Sequence, residues 1–362
     1  MPATKRTPKK QKTVAMTGAS GYLAERLIDK LCEDPSIDRV LGFDVRPPRI
    51  RHEKFVFDEL DIRNPALEAR LSEVDVVVHL AFIMDPIKDE AHMRDVNVNG
   101  SQNVLRCAGS AGVRKIVYAS SGVAYGAHPD NDVPLTEESP LRANLDFSYA
   151  AHKLEVEYVV REFRDEFPDV KVVVLRPSIV FGPNVDSAWS HVLEMPVILG
   201  IKGCSPPFQF VHEADVAGAL EFAVHTDLDG AYNLAPDDWT STEEILQELG
   251  RRRVEIPEAA AFAVAGRMWD WGLAEAPAGM LHYVMYPWVM SPARLNAAGF
   301  TCSRSSLQAL QETATIAREH VRLGRSRVRR GDLVKGATAG LGLVGAAVSL
   351  RAARRRRATT RP

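Results

Sequence analysis

The sequence predicts an α/β protein with a doubly wound parallel sheet and a smaller mixed α/β domain beside it. In the first half, short Val-, Ile- and Leu-rich runs alternate with stretches of helical periodicity. Runs that are apolar on both faces are typical of parallel strands covered by helices on both sides. After residue 177 this alternation gives way to an irregular, proline-rich pattern. With 362 residues, 46% of them hydrophobic, the chain can bury the core of such a two-part molecule.

The strands of the first domain are predicted in chain order. They cover residues 13–18, 38–44, 53–57, 74–81, 114–121 and 170–177, with helical stretches at 91–111 and 148–167. The domain they form spans residues 13–176, and two later segments, a strand running into a helix at 208–224 and a strand at 230–235, are predicted to return to it. The rest of residues 177–317 forms the second domain, in which a Ser/Thr cap over Glu243 and Glu244 begins a helix.

A glycine-rich turn, TGASGYLA at residues 17–24, follows the first strand and opens the first helix. Such a turn points free backbone N–H groups and the positive end of the helix dipole at the crevice, which favours a pyrophosphate. Taken alone, Gly18 and Gly21 are equally consistent with a tight turn that binds nothing. Asp44, at the end of the second strand, favours the first interpretation, because a carboxylate there accepts both hydroxyls of an adenosine ribose. The pattern therefore predicts a Rossmann-type dinucleotide site.

The same carboxylate indicates which dinucleotide binds. Asp44 would repel the 2′-phosphate of NADP, so the sequence favours NAD, although Arg46 nearby weakens this preference. Ala24 stands where the third glycine of the dinucleotide fingerprint is usual, and a small residue is sufficient there for the helix to pack on the strand.

A second motif, YAAHK, places Tyr149 and Lys153 one turn apart on the same helix face. Alone, such a pair is usually an ordinary pair of helix neighbours. Here it follows the nucleotide-binding half, and Ser120 and Ser121 end the preceding strand. A tyrosine with a pKa of about 10 is a poor base near neutral pH, but a lysine ammonium and an oxidised nicotinamide stabilise its phenolate. The tyrosine then becomes a usable base.

These motifs and several others occur in one order and at consistent spacing over residues 13–317. They are TGASGYLA, Asp44, DI (61–62), HLA (79–81), NVNGSQN (97–103), YASSGVAYG (118–126), YAAHK, LRPSIVFGP (175–183) and FVHEADVAGA (210–219). As a set they resemble the extended short-chain dehydrogenase/reductases, the NAD-dependent epimerase/dehydratase family. The resemblance implies NAD as cofactor and hydride transfer at a secondary alcohol of a small molecule.

The resemblance also implies roles for individual residues. The cofactor would be bound by Gly18, Ser20, Gly21, Tyr22 and Leu23 at the pyrophosphate, Asp44 at the ribose, Asp61 and Ile62 at the adenine, and Leu80, Ala81, Asn97, Tyr149, Lys153, Pro177 and Ile179 along the remainder. Ser121 would polarise the substrate oxygen and Tyr149 would exchange its proton. Lys153 would bind the nicotinamide ribose and lower the tyrosine pKa.

The substrate positions depart from the nucleotide-sugar members of the family. Ile179 stands where those members tend to carry asparagine, and Phe208 stands where they carry an arginine that holds a diphosphate. Losing such a charge-assisted partner costs about 1.5 to 3 kcal/mol. Arg294 resembles another phosphate ligand of the family, so a sugar nucleotide stays among the candidate substrates. Three hypotheses follow: an enzyme acting on a sugar-like alcohol, a hydroxysteroid- or hydroxycinnamoyl-type enzyme acting on an apolar alcohol, and a non-enzymatic NAD sensor. The presence of both Tyr149 and Lys153 disfavours the last.

Other side chains that could carry chemistry are assigned to packing. His79 and His212 are predicted to be structural, because no carboxylate or thiol cluster accompanies them, and we expect no metal site. The aromatic residues of MWDWGL (268–273) and HYVMYPW (282–288) are predicted to pack the second domain rather than to line a substrate pocket.

The charges are unevenly distributed. Residues 1–12 carry a net charge of +5, residues 13–317 carry 27 basic against 45 acidic side chains, and residues 318–362 carry 13 against 2. The ends are therefore predicted to be a basic arm and a basic tail. An uncharged run of 14 residues in the tail, 337–350, is too short to span a bilayer as a helix, so we expect either peripheral contact with anionic lipid or a frayed or docked tail.

Partners and location are predicted from the same features. We expect no nucleic-acid partner, because the basic run has no interleaved aromatic residues, and we leave a homodimer open. The four cysteines form no CxxC pair and there is no secretory signal, which indicates a cytoplasmic protein, with membrane association through the tail.

Overall fold

The computed structural model describes residues 11–195, 197–323 and 326–329. Its main feature is a seven-stranded, all-parallel sheet in the order β3-β2-β1-β4-β5-β6-β10. Reading outward from β1, this is the doubly wound strand order with one strand added beside β6. The strands are β1 Lys12–Thr17, β2 Ile37–Asp44, β3 Phe55–Glu59, β4 Val76–His79, β5 Lys115–Ala119, β6 Lys171–Pro177 and β10 Gly230–Leu234. The predicted fold class is confirmed.

Helices cover both faces of this sheet because its strands are apolar on both sides. Val14 and Met16 pack into one core with α1 (Tyr22–Glu33) and α7 (Glu213–His225). Ala15, between them, packs into the opposite core with α4 (Gly100–Ser110) and α5 (Ser148–Glu166). The other helices of this half are α2 Leu67–Arg70 and α3 Glu90–Arg94. Between α3 and α4, the predicted helix 91–111 contains one π-helical turn, Asp95–Asn99.

The second region is smaller and mixed, as predicted. Two parallel pairs, β7 (Ile179–Phe181) with β9 (Phe210–His212) and β8 (Ile198–Ile201) with β11 (Arg253–Ile256), lie among short helices. These helices are α6 Ala188–Glu194, α8 Thr242–Leu249, α9 Glu258–Asp270, α10 His282–Met285, α11 Ala293–Ala297 and α12 Ser306–Glu319. Short 3₁₀ turns occur at Gly122–Tyr125 and Ala278–Leu281. The predicted cap of α8 is a complete capping box between Ser241 and Glu244.

The segments predicted to return to the first domain do so in part. Strand β10 joins the main sheet beside β6, and α7 packs on α1, where Lys30 and Arg26 form ion pairs with Glu221 and Glu213. Strand β9 instead pairs with β7 outside the main sheet.

The predicted boundaries of the two terminal segments need correction. Lys12, assigned to the basic arm, begins β1, and its Nζ donates to the carbonyl of Val224 at 2.9 Å. At the other end, the tail was predicted to begin at residue 318, but α12 extends to Glu319. A hairpin of β12 (His320–Leu323) and β13 (Ser326–Arg329) follows it. The uncharged run 337–350 lies outside the described residues. Within the part of the chain that the structure describes, no helix is both long and apolar enough to cross a bilayer.

Candidate active site

A cleft of about 610 Å³ opens at the carboxyl ends of the sheet strands. It lies beside the neighbouring strands β1 and β4, between which the strand order reverses. This is the position at which doubly wound sheets bind ligands. Thirteen of the predicted cofactor residues line it: Gly18, Gly21, Tyr22, Leu23, Asp44, Asp61, Ile62, Leu80, Ala81, Tyr149, Lys153, Pro177 and Ile179. Ser121 also lines it, whereas Ser20, Asn97, Phe208 and Arg294 do not.

The glycine turn at the floor of the cleft allows only small residues. Gly18 has φ +72°, and a Cβ there would lie 2.6 Å from the backbone nitrogen of Ala81 after β4. Gly21 caps α1 without a side-chain hydrogen bond, so the first N–H groups of that helix are open toward the cleft. A backbone concavity at a helix N-terminus fits a pyrophosphate. The residues present therefore fit a dinucleotide.

Asp44 stands at the edge of this turn. Its Oδ2 accepts a hydrogen bond from the backbone nitrogen of Ser20 at 3.0 Å, and its Oδ1 accepts one from that of Arg46 at 3.1 Å. Ser20 thus contributes through its backbone and does not line the cleft itself. The carboxylate faces the same space as the glycine turn, as a ribose ligand requires.

We expect Asp44→Asn to reduce the ratio of NAD to NADP affinity at least about tenfold, because the amide keeps an acceptor for Ser20 but removes the charge that repels a 2′-phosphate. Calorimetric titration of both dinucleotides measures the ratio. Asp58→Asn, which neutralises a surface carboxylate paired with Arg70, is the control. Wild-type protein that binds NADP as tightly as NAD would contradict the assignment.

The adenine end of the cleft is ordered by an ion pair. The Arg63 guanidinium binds both carboxylate oxygens of Asp61 and also reaches Asp95, which holds the pKa of the Asp61 carboxyl below its usual range. Ile62 between them is 5% exposed. Asp61 is therefore a paired carboxylate in the lining of the cleft, and its contact with an adenine stays a prediction.

Asn97 supports the cleft from behind. It lies in the π-helical turn, is fully buried, and binds both backbone groups of Ile83 through its amide, at 2.7 and 3.0 Å. Ile83 lines the cleft, as does Leu80 at the start of the same segment. The predicted cofactor contact at Asn97 is thus replaced in this structure by a role in shaping the segment after β4.

Three successive turns of α5 face residues 119–121, at the end of β5 and just after it. The Tyr149 hydroxyl lies close enough to Ser121 for that side chain to lower the tyrosine pKa in part. One turn later, Lys153 Nζ donates to the carbonyl of Ala119 at 2.7 Å. One further turn on, Glu157 Oε1 accepts from the Ser120 hydroxyl at 2.6 Å. The structure therefore brings the predicted catalytic trio together, with Tyr149 and Lys153 one turn apart on α5 and Ser121 just after β5.

Burial dominates the pKa values at this end of the cleft. It raises the pKa of Tyr149 to about 12, and the neighbouring Ser121 side chain lowers it only in part. Burial also lowers the pKa of Lys153 to about 7, against an opposing effect of Glu157. Lys153 Nζ lies 3.6 Å from the ring centroid of Phe82 and 5.9 Å from that of Tyr149. That Lys153 lowers the tyrosine pKa stays a prediction.

A buried ion pair behind the trio was not predicted. Glu157 and Arg176 are 4% and 5% exposed at their side chains and form two hydrogen bonds of 2.8 Å. Arg176 also donates to the hydroxyl of Tyr125 at 2.7 Å, which donates to Asn233 in β10. A glutamate one turn after Lys153, together with an arginine inside the apolar strand VVVLRP, is the sequence signal for this pair.

Both histidines are structural, as predicted. His79 is 1% exposed between Thr17 and Ser101, with ring nitrogens 2.7 and 2.8 Å from their hydroxyl oxygens. His212 accepts from the backbone nitrogen of Ala214 and so caps α7. Burial lowers the pKa of His79 to about 3.

The pKa of His79 predicts acid sensitivity. An unfolded histidine binds a proton below about pH 6.5, whereas His79 in the folded protein binds one only near pH 3. The contribution of the neutral His79 imidazole to the stability of the fold is therefore complete above pH 6.5 and is lost as the pH falls. When the pH falls from 6 to 4, the free energy of unfolding is expected to decrease by about 2 kcal/mol less for His79→Asn than for wild type. Urea unfolding at each pH measures this, with exposed His92→Asn as control. Parallel pH curves for wild type and His79→Asn would refute the inference.

The substrate end of the cleft is mainly apolar. It is lined by Phe82, Ile83, Met84, Phe147, Ile179, Trp189, Met280 and Trp288. Arg46 and Arg63, two of the Lys and Arg residues in the described lining, lie at the end that holds Asp44 and Asp61. The third, Lys153, belongs to the predicted catalytic trio. Asp85 adds a carboxylate, whose pKa is raised by desolvation.

Of the three residues predicted for substrate binding, Ser121 lines the cleft, whereas Phe208 and Arg294 lie elsewhere. Phe208 stacks on Phe210 and pairs through its backbone with Thr240. Arg294 lies over the ring of Tyr232 and 3.5 Å from a carboxylate oxygen of Glu138. Neither reaches the described lining of the cleft, because packing in the second domain and a surface ion pair hold them away.

The aromatic segments divide between the core and the surface. Tyr283 and Trp288 of HYVMYPW are 0% and 5% exposed, and Trp288 also lines the cleft. Trp271 of MWDWGL is 72% exposed. Packing is therefore the role of Tyr283, as predicted, whereas Trp288 both packs and lines the cleft, and the packing prediction is wrong for Trp271.

Residues 14–235 match the model of the NAD dependent epimerase/dehydratase family. The chain belongs to this family. An uncharacterized protein of Mycobacterium tuberculosis is 30% identical over 299 residues, covering 80% of this chain and 79% of that protein. A UDP-glucose 4-epimerase of Mycolicibacterium smegmatis is 31% identical over 189 residues, covering 47% and 57%.

Solved structures confirm the fold. The UDP-glucose 4-epimerase of Thermus thermophilus, solved as a complex with NAD, has a TM-score of 0.64 at 22% identity, over 84% of this chain and 99% of that one. Membership of the family confirms NAD as its cofactor class, and the chain is an NAD-dependent enzyme of the epimerase/dehydratase type.

Proposed function

We propose that the protein transfers a hydride between NAD and the carbinol carbon of a secondary alcohol, with Ser121, Tyr149 and Lys153 as catalytic residues. The observation that carries the proposal is the placement of Ser121, Tyr149 and Lys153 together in the lining of a cleft whose floor fits a dinucleotide. A proton donor and a second hydroxyl that converge on one point can hold and protonate a carbonyl oxygen.

The raised pKa of Tyr149 favours the reductive direction. With a pKa of about 12 the phenol is protonated at neutral pH and can donate to a carbonyl oxygen. Ser121 holds that oxygen, and Lys153, fixed by the carbonyl of Ala119, stands beside the site with a pKa of about 7. NAD, when bound, supplies the hydride donor or acceptor and, in its oxidised form, a positive charge that favours the phenolate needed for oxidation.

The lining of the substrate end supports an apolar alcohol. A diphosphate buried there would need a cationic partner, and the described cations of this cleft lie at the ribose and adenine end or in the trio. The 3-β-hydroxysteroid or hydroxycinnamoyl type of enzyme is the alternative that this lining favours. Epimerisation of a nucleotide sugar is the second candidate, supported by the relative in M. smegmatis.

A substrate panel separates the two candidates. The purified protein is mixed with NAD and, in turn, with UDP-galactose and with apolar secondary alcohols, and reduced cofactor and product are measured by absorbance and mass spectrometry. We expect cofactor reduction with apolar alcohols and no conversion of UDP-galactose. Efficient epimerisation of UDP-galactose would refute the substrate class and leave the catalytic trio standing.

A further inference from the structure

Helix α9 and the turn that follows it carry exposed apolar side chains. Val264 and Met268 lie on the helix, Trp271 and Leu273 follow its end at Asp270, and the four are 51%, 39%, 72% and 55% exposed. We call these four residues the α9 face. Ala261 is the one residue of α9 that is buried. Soluble proteins rarely expose a contiguous set of this kind unless it meets a partner or a membrane.

The α9 face lies at the substrate end of the cleft. Helix α9 packs against the 3₁₀ turn Ala278–Leu281, and Met280 of that turn lines the cleft, as does Ala276 three residues after Leu273. On the opposite wall, Lys88 places its Nζ 4.3 Å from the ring centroid of Trp269 and 3.8 Å from a carboxylate oxygen of Asp270. Lys88 therefore connects α9 to the segment after β4, which begins at Ala81 beside the glycine turn. Met84 of this segment is 43% exposed and lines the cleft.

The chemistry of the face fits a lipid surface. Tryptophan is enriched where one end of a side chain is apolar and the other is wet, as at the headgroup level of a bilayer. The charged side chains of α9 are Glu258, Arg267 and Asp270, so apolar contact, and not charge, would drive its binding. The sequence of residues 330–362 also suits a lipid surface. It contains eight Lys and Arg residues and one Asp, on both sides of the uncharged run 337–350.

We propose that the α9 face docks on the surface of a lipid bilayer and presents the apolar end of the cleft to an alcohol or ketone dissolved in the membrane. The proposal rests on the proposed function for its substrate, since an apolar alcohol partitions into lipid. It extends that function by assigning a docking surface within the folded body, separate from the basic tail.

Vesicle binding by the full chain tests the docking independently of turnover. Sedimentation with phosphatidylcholine vesicles is measured at about 1 M salt, where a Debye length of about 3 Å suppresses contributions of the basic ends. We expect wild type to pellet with the vesicles and Trp271→Gln to lose at least about tenfold of its partition coefficient. Trp239→Gln, an exposed tryptophan between β10 and α8, is the matched control and should bind as wild type does.

Three outcomes would overturn the proposal. The first is that wild type does not bind these vesicles, and the second is that both tryptophan variants lose the same amount of vesicle partitioning. The third is that wild type does not bind vesicles and Trp271→Gln changes the oligomeric state, which would make the α9 face a contact between copies. The double variant Met268→Gln/Trp271→Gln, checked for an unchanged circular dichroism spectrum and NAD affinity, repeats the test with a larger loss of apolar area. Because sedimentation needs no substrate, a failure of the proposed function would leave this result interpretable.

Discussion

Replacing Tyr149 with phenylalanine is expected to reduce hydride transfer by about 10² to 10⁴-fold, the usual contribution of a positioned acid or base, while NAD affinity stays nearly unchanged. The ring that packs beside Phe82 and Phe147 remains, and only the hydroxyl next to Ser121 is lost. Single-turnover rates with saturating NAD measure the chemical step, and calorimetry measures the affinity.

A matched control is available on the same helix. Tyr158 is 43% exposed on α5, so Tyr158→Phe should turn over as wild type does. Normal turnover by Tyr149→Phe would remove the tyrosine from the mechanism. A fall in NAD affinity that accounts for the whole loss of rate would assign it to cofactor binding instead.

Arg176→Met is expected to destabilise the protein by about 3 to 5 kcal/mol, because it leaves the Glu157 carboxylate buried without its cation. The loss should also disturb the Ser120 hydroxyl, which donates to the same carboxylate next to the catalytic Ser121. Urea unfolding measures the change in free energy from the midpoint and the slope.

The control for this variant is a surface ion pair of similar geometry. Arg164 and Asp229 are 38% and 40% exposed, and Arg164→Met should cost about 0 to 1 kcal/mol. The double variant Arg176→Met/Glu157→Leu should recover much of the loss, since two apolar groups can replace a buried pair. Equal losses for Arg176→Met and Arg164→Met would show that the buried pair contributes no more than a surface one.

The first domain was predictable because its signals are local. Apolar runs of five to eight residues between helical stretches identify parallel strands, and the spacing of Gly18, Gly21 and Asp44 identifies the ligand edge of the sheet. The π-helical turn at Asp95–Asn99 was missed, because it depends on the fit of Asn97 to the backbone of Ile83, a contact between segments that no local pattern specifies.

The second domain and the electrostatics of the site were less predictable for the same physical reason. Whether an aromatic residue is buried, like Tyr283, or exposed, like Trp271, depends on which neighbours the tertiary fold supplies. The pKa of Tyr149 depends on how completely the fold removes water from it, which no local motif specifies. The position of Phe208 was read from a family pattern, and in this chain its ring stacks within the second domain.

The central claim, hydride transfer between NAD and an alcohol under the control of Tyr149, is tested most directly by an isotope label. Apolar secondary alcohols carrying deuterium on the carbinol carbon are incubated with NAD and either wild type or Tyr149→Phe, and the reduced cofactor is analysed by mass spectrometry. The account predicts deuterium in the cofactor with wild type and its near absence with Tyr149→Phe. Wild-type protein that binds NAD but acquires no label from any of these alcohols, or equal labelling by the two proteins, would contradict it.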